Sequence, residues 1–229
     1  MSQVPLGPDP ARFWEAPARV AEFAAREPDV RLVDLMQRYA APRATRVLDL
    51  GCAGGRNTEP LLEAGFDVIA VDASSAMVAA TRARVAPLAG AAATEHRVLL
   101  ARMDDLSFAA DASFDLVVAL GIYQQAQDEA EWTRALAETA RVLRGDGRVL
   151  VANFAPGTGP RADPPGLVTG TRFVYTGLAD GRACLLTADE LDGEFARIGL
   201  APEVPTTTVD RSSEEHRRVT VNALYRKTG

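Results

Sequence analysis

The chain has 229 residues, 47% of them hydrophobic, which is enough to bury a substantial core in one large domain. A net charge of −6 argues against a surface built for phosphate backbones, since non-specific nucleic-acid affinity comes mainly from clustered Lys and Arg. Cys52 and Cys184 lie far apart with no nearby histidine cluster, so neither a disulfide framework nor a metal site is expected. The opening segment lacks a basic stretch followed by an apolar core, and no apolar run reaches the about 20 residues a bilayer demands. The expectation is a cytoplasmic protein, monomeric or homodimeric, with no membrane or nucleic-acid partner.

In chain order, residues 1–40 contain "ARFWEAPARVAEFAAREPDVRLVDLMQRY", where Phe13, Trp14, Val20, Phe23, Leu32, Leu35 and Met36 recur at helical spacing. This segment reads either as a lid over a ligand site, with Trp14 the candidate contact, or as a helix that merely covers a sheet. A strand is predicted at 46–50, a helix at 58–64 closed by Gly65, and a buried strand at 67–72. A helix over 74–85 takes Ser74 as its cap, and an alanine-rich stretch near 89–94 reads as helix or loop. Strands follow at 96–101 and 114–120, then a helix at 129–143 and a strand at 148–154. In that helix Trp132, Leu136, Thr139 and Leu143 share one face, so Trp132 reads as core. Residues 155–186 are rich in Gly and Pro and contain "TRFVYTGLADGRACLL", two short strands around Ala179, Asp180 and Gly181: a hairpin, and an inserted cap. A last helix at 187–198 is capped by Thr187 and stopped by Gly199, and "HRRVTVNALYRK" is a final strand. Short strands alternating with helices are the sign of a parallel sheet with crossover helices, an α/β fold in a single domain.

Such a sheet binds ligands where loops leave the carboxyl ends of its strands. The first such loop is "VLDLGCAGGRN" (47–57), in which Gly51, Gly54 and Gly55 let the backbone approach a ligand and Asn57 can satisfy groups at the start of the next helix. About twenty residues on, Asp72 ends the second strand, where an acid can accept from ribose hydroxyls. A dinucleotide fingerprint would read GxGxxG, but Ala53 and Arg56 stand where glycines are expected. Asp49 is placed instead to meet a cationic group, such as the amine of an amino acid. Adenosine joined to an amino acid describes S-adenosylmethionine.

The stretch "VLDLGCAGGRNTEPLLEAGFDVIAVDAS" resembles the first two motifs of class I S-adenosylmethionine-dependent methyltransferases. "GRN" and the "MVAATRARV" helix are similar to small bacterial members acting on tellurite and other small molecules, and "MDDLSFAADASFDLVVALG" is similar to the family's adenine-side loop and fourth strand. The resemblance covers about half to two-thirds of the chain. It implies a Rossmann-like, doubly wound, mostly parallel seven-stranded sheet with an antiparallel last strand, and S-adenosylmethionine as cofactor. It further implies Asp49, Gly51 and Ala53 around the methionine part, Asp72 on the ribose, Met77 near the adenine, and Met103 and Asp104 beside that ring through a backbone amide and a carboxylate. Cys52, Gly55, Asn57 and Ala73 belong to the same set, and Leu120, Gly121 and Ile122 pass beneath the sulfonium. Two departures stand out: Ala53 replaces the usual middle glycine, which requires a negative φ, and Arg102 stands where an acid is common. Each residue also has a plainer reading: Cys52 as loop filler, Met77 as core, Asp104 as a solvated acid.

Methyl transfer from a sulfonium needs alignment and exclusion of water more than a general base. No catalytic side chain is identifiable, and His96 and His216 read as structural or exposed. "LGIYQQAQ" lacks the Asn/Asp-Pro-Pro-aromatic box that resembling enzymes use on exocyclic nitrogens, so a small-molecule acceptor is expected. Tyr123, Gln124 and Gln125, with Arg172, Arg161 and Tyr175 of the cap, are candidates to meet it. Two alternatives remain open: an S-adenosylmethionine-binding module without transfer, and an RNA or protein methyltransferase.

Overall fold

The computed structural model describes residues 10–178 and 181–228. Three short helices lead in: α1 (Pro10–Glu15), α2 (Pro17–Ala24) and α3 (Val30–Met36). The periodic N-terminal stretch is divided because Pro17 must start a helix and Asp29, after Pro28, caps the next one by accepting from the Arg31 amide at 3.0 Å. Then follow β1 (Arg46–Leu50), α4 (Thr58–Glu63), β2 (Asp67–Asp72), α5 (Ser75–Ala89), α6 (Ala91–Arg97), β3 (Val98–Leu100), β4 (Phe114–Leu120), α7 (Glu129–Val142) and β5 (Leu143–Phe154). The remainder comprises β6 (Gly159–Pro160), β7 (Gly166–Leu167), β8 (Val174–Leu178), β9 (Gly181–Cys184), α8 (Ala188–Ala196), β10 (Leu200–Pro202), β11 (Thr207–Ser212) and β12 (His216–Lys227).

The sheet runs β10-β12-β5-β4-β1-β2-β3, with β1 to β5 mutually parallel and β12 antiparallel to β5. It is the expected α/β, Rossmann-like sheet. Side-chain alternation along the strands divides the core. Leu48, Leu50, Val71 and Val117 meet Trp132 and Leu136 of α7 and Phe195 of α8 on one face. On the other, Val47, Val68, Leu116 and Val118 meet Leu32 and Leu35 of α3 and Leu61 of α4, while Val78 and Val85 of α5 cover Ala70 and Val98. Trp132 is fully buried, as its helical spacing required.

Several boundaries differ from expectation. The sheet gains β6 and β11, both paired to β12, which is long enough to overshoot its neighbours. His96 lies in the last turn of α6, not in a strand, because the alanine-rich segment continues as helix beyond Gly90; β3 shrinks to an edge strand pairing only with β2. Helix α5 runs four residues past the predicted end, and β5 begins at Leu143. The cap comprises β7-β8-β9; of its predicted turn, Ala179 and Asp180 lie outside the described residues.

Candidate functional site

A cavity of about 370 Å³, in the size range of small-molecule sites, opens at the carboxyl edge of the sheet. The β1–α4 loop forms one wall through Gly51, Cys52, Ala53, Arg56 and Asn57, and β2 contributes Asp72, followed by Ala73 and Ser74. Arg102 and Met103 close a second side, Leu120, Gly121, Ile122 and Gln125 a third, and Trp14, Glu15 and Phe23 of the N-terminal helices a fourth.

Asp72 organises the loop. Its Oδ2 accepts from the Ala53 amide and its Oδ1 from the Ser74 amide, both at 2.9 Å. Burial raises its pKa, opposed by those backbone donors and that of Ala73. Ala53 has φ +49°, contrary to the negative value that the sequence required. Its peptide is clamped into the left-handed region: Asp72 takes its N–H and Thr81 Oγ1 donates to its carbonyl at 2.5 Å. The neighbouring glycines serve packing as much as ligand approach. A Cβ at Gly54 would lie 2.5 Å from Ala24 Cα of α2, and one at Gly55 would crowd Thr81 and Arg84 of α5. Gly55 thus joins the loop to a helix and is not part of the cavity wall.

Asp49 also lies behind the wall. It is almost wholly buried and accepts from Thr58 Oγ1 at 2.6 Å, so it anchors the start of α4. Burial pushes its pKa up to about 6, against the Thr58 hydrogen bond and Arg56, with Asp72 pushing it further up. Asn57 lines the cavity but does not cap α4; its Oδ1 accepts from the Asp29 amide at 3.0 Å, tying the loop to α3. Cys52 is a buried wall residue whose thiol is pushed up by burial and stands 3.5 Å from Thr81 Oγ1. Met77 is buried in α5, away from the cavity wall.

On the side of Met103, Asp104 is not a wall residue; it pairs with Arg102 (3.0 Å) and Arg134 (2.9 Å). The carboxylate that does line the cavity there is Glu131 of α7, which accepts from Arg102 and, at 2.8 Å, from the Gln127 amide. Thus Arg102, which replaces the expected acid, recruits one from 29 residues downstream. Tyr123 is fully buried, with its hydroxyl 2.7 Å from Thr139 Oγ1 and its pKa raised by burial, and does not reach the cavity. Arg172 is held by Glu129 (2.8 Å) and Glu194 (2.6 Å), also outside it. Gln124 accepts from the Phe154 amide, leaving Gln125 and Trp14 as the wall members of the expected acceptor set.

Glu15, Phe23, Ser74, Arg56, Gln127 and Glu131 are wall residues that the sequence reading did not select. Arg56 carried a signal, since it directly follows the glycine turn; it lines the wall with one guanidinium nitrogen on the Glu27 carbonyl at 2.7 Å, and burial lowers its pKa. Glu15 docks α1 onto the start of α5: its carboxylate accepts from the Ser75 amide (2.6 Å), Ser75 Oγ (3.1 Å) and the Ala76 amide (3.1 Å), and Ser74 Oγ donates to the Trp14 carbonyl at 3.2 Å. Among the described residues no helix is long and apolar enough to cross a membrane, and no cluster of three or more His, Cys, Asp or Glu could hold a metal.

This strand order, with a cavity beside the glycine turn after β1 and an acid at the end of β2, is the Rossmann-like arrangement that the sequence resemblance implied. The family model described as a methyltransferase domain matches residues 47–147. A ubiquinone biosynthesis O-methyltransferase of Xanthomonas campestris pv. campestris (strain B100) is 32% identical over 126 residues, 55% of this chain and 50% of that protein. The chain spans about half the length of the curated relatives it matches. Among solved structures, the Burkholderia thailandensis 1,6-didemethyltoxoflavin-N1-methyltransferase, bound to 1,6-didemethyltoxoflavin and S-adenosylhomocysteine, aligns over 100% of this chain and 94% of that one, with TM-score 0.62 and 22% identity. The cyclase SpnF aligns over 100% and 99%, with TM-score 0.64 and 16% identity. These structural likenesses show the fold, and one of them carries a named activity other than methyl transfer.

Proposed function

We propose that this chain is an S-adenosylmethionine-dependent methyltransferase acting on a small-molecule acceptor by in-line displacement. The observation that supports this best is the convergence, on one cavity, of the glycine turn, the Asp72 carboxylate, and the wall at Leu120–Gly121–Ile122. The donor set fits the cofactor. Asp72 can accept from ribose hydroxyls, Glu131 from an adenine amine beside the Met103 backbone, and Arg56 can pair with the methionine carboxylate. When bound, S-adenosylmethionine supplies an activated methyl group on a sulfonium. The chain's part is positional: Leu120, Gly121 and Ile122 bound the space for the reacting groups, Gln125 offers an amide to the acceptor, and Trp14 and Phe23 exclude water. In this reading residues 1–40 are a lid and 155–186 a cap, within one domain. The cap touches the cavity loop where Gln127 Nε2 donates to the carbonyls of Gln125 and Arg182.

The test is calorimetric titration with S-adenosylhomocysteine. Asp72→Ala should weaken binding by about 1–3 kcal/mol. Because Asp72 also holds the Ala53 N–H, Thr81→Val, which releases the Ala53 carbonyl and is not itself a wall residue, serves as control for loosening of the loop. Equal losses in both variants would mean that Asp72 acts only on the loop. A second reading, binding without transfer, draws on the wall carboxylates: Glu15, Asp72 and Glu131 are each engaged by backbone N–H donors in holding the wall together. Turnover with any acceptor would remove it.

A further inference from the structure

The overshoot of β12 carries charge beyond what the cofactor requires. Its pairing with β5 ends at Thr220 opposite Phe154, and β11 pairs with the overhang. On one face of this ribbon Arg217 and Asp210 form an ion pair at 2.8 Å. On the opposite face Arg218 stands directly across from Arg211. Like charges at such a position repel and destabilise the pair. Among the described residues neither guanidinium has a carboxylate partner, whereas Arg217, one residue away, has one.

This unbalanced face lies near the cavity, outside its wall. Arg218 lies over the Phe154 ring, 5.3 Å from its centroid, at the carboxyl end of β5, and the Phe154 amide is held by Gln124, next to the wall residue Gln125. The N-terminal helices bring Phe23, a wall residue, with Arg26 stacked on its ring at 3.7 Å, and Arg56 is a further cation of the same wall. Burial, then the charges of Arg26, Arg211 and Arg56, lower the pKa of Arg218. The opposing charge, Asp29, is already gripped by Arg31 through two nitrogens, and Arg26 is paired with Glu22. The single carboxylate of the cofactor can balance Arg56 but leaves Arg211 and Arg218 without a counter-ion.

We infer that Arg211 and Arg218 bind an anionic group, carboxylate or phosphate, of the methyl acceptor, and so select negatively charged small molecules. Two exposed guanidinium forks beside the cavity match such oxygens with charge-assisted hydrogen bonds. The inference rests on the methyl-transfer reading.

Protein saturated with S-adenosylhomocysteine is titrated at fixed ionic strength with benzoate, benzyl phosphate and neutral benzyl alcohol, with binding followed by ligand-observed NMR. At least one anion should bind about tenfold or more tightly than the alcohol, and the stronger of the two identifies the group. Arg211→Gln and Arg218→Gln should each weaken that anion about fivefold or more, while Arg217→Gln, on the far face, stays within about twofold. No preference for either anion, or an equal loss in Arg217→Gln, overturns the inference. Cofactor affinity is measured separately: if S-adenosylhomocysteine does not bind, the methyl-transfer reading fails, and the anion series repeated without it still decides whether the arginines form an anion site.

Discussion

Asp49 is a buried carboxylate whose ionisation the fold opposes, and this has a measurable consequence. Its pKa is pushed from an ordinary 3.8 up to about 6, with burial the leading cause. A group whose folded pKa lies above its unfolded one binds more protons in the native state across that interval, so stability falls as pH rises through it and is constant above. At about 1.4 kcal/mol per pH unit, the penalty of the ionised form is on the order of 3 kcal/mol once both states are ionised. Asp49→Asn keeps an oxygen for the Thr58 hydroxyl and does not titrate. Whatever the fixed difference between the two side chains, the stability of Asp49→Asn relative to wild type should rise by about 2 kcal/mol between pH 4.5 and pH 7.5. Urea denaturation of both proteins at several pH values in that range measures it. A flat or falling difference would show that the carboxylate is better solvated than its burial indicates, or paired with a cation. The same variant should bind S-adenosylhomocysteine nearly as wild type does, since Asp49 stands behind the cavity wall and not in it.

Two further outcomes are expected. Ala53→Gly should stabilise the protein by about 0.5–1 kcal/mol, because relief of the left-handed strain at φ +49° exceeds the added backbone entropy of glycine; a lower melting temperature would contradict this. Glu15 latches α1 and α2 over the cavity. Burial raises its pKa, but the hydrogen bonds from Ser74, Ser75 and Ala76 outweigh it and hold the net value below the ordinary 4.5. Its contribution to docking is therefore present above the unfolded pKa and lost as pH falls through the folded one. Hydrogen exchange in 13–24 should quicken in Glu15→Gln at pH 7, with little further effect of the substitution below the folded pKa of Glu15; unchanged exchange at pH 7 would remove the latch.

Much of the scaffold was legible because the strongest signals are local. The bounds of β1, β2, β4 and β12 follow from their apolar runs, and Ser74 and Thr187 cap their helices, Thr187 within a reciprocal capping box with Glu190. The resemblance to a methyltransferase domain was legible in 47–57 and Asp72, since a βα turn and its acid keep a fixed spacing. What escaped was non-local. The exchange of Asp104 for Glu131 depends on α7 packing beside the loop after β3, which no spacing expresses. Tyr123 and Arg172 looked available because each has a polar group, but their partners, Thr139 and Glu194, are brought in by the fold. Helix α6 lacks an apolar stripe, so alanine propensity alone had to carry it. Ala53 failed in an instructive way: the rule that alanine avoids positive φ holds on average, and two hydrogen bonds to its peptide override it here.

Calorimetric titration of the wild-type protein with S-adenosylmethionine and S-adenosylhomocysteine, with NAD as control, decides whether the cavity is a cofactor site. Saturable micromolar binding of the first two and none of the third is the expected result. Folded protein that binds neither sulfur nucleoside would contradict the methyltransferase reading, leaving the fold without its chemistry.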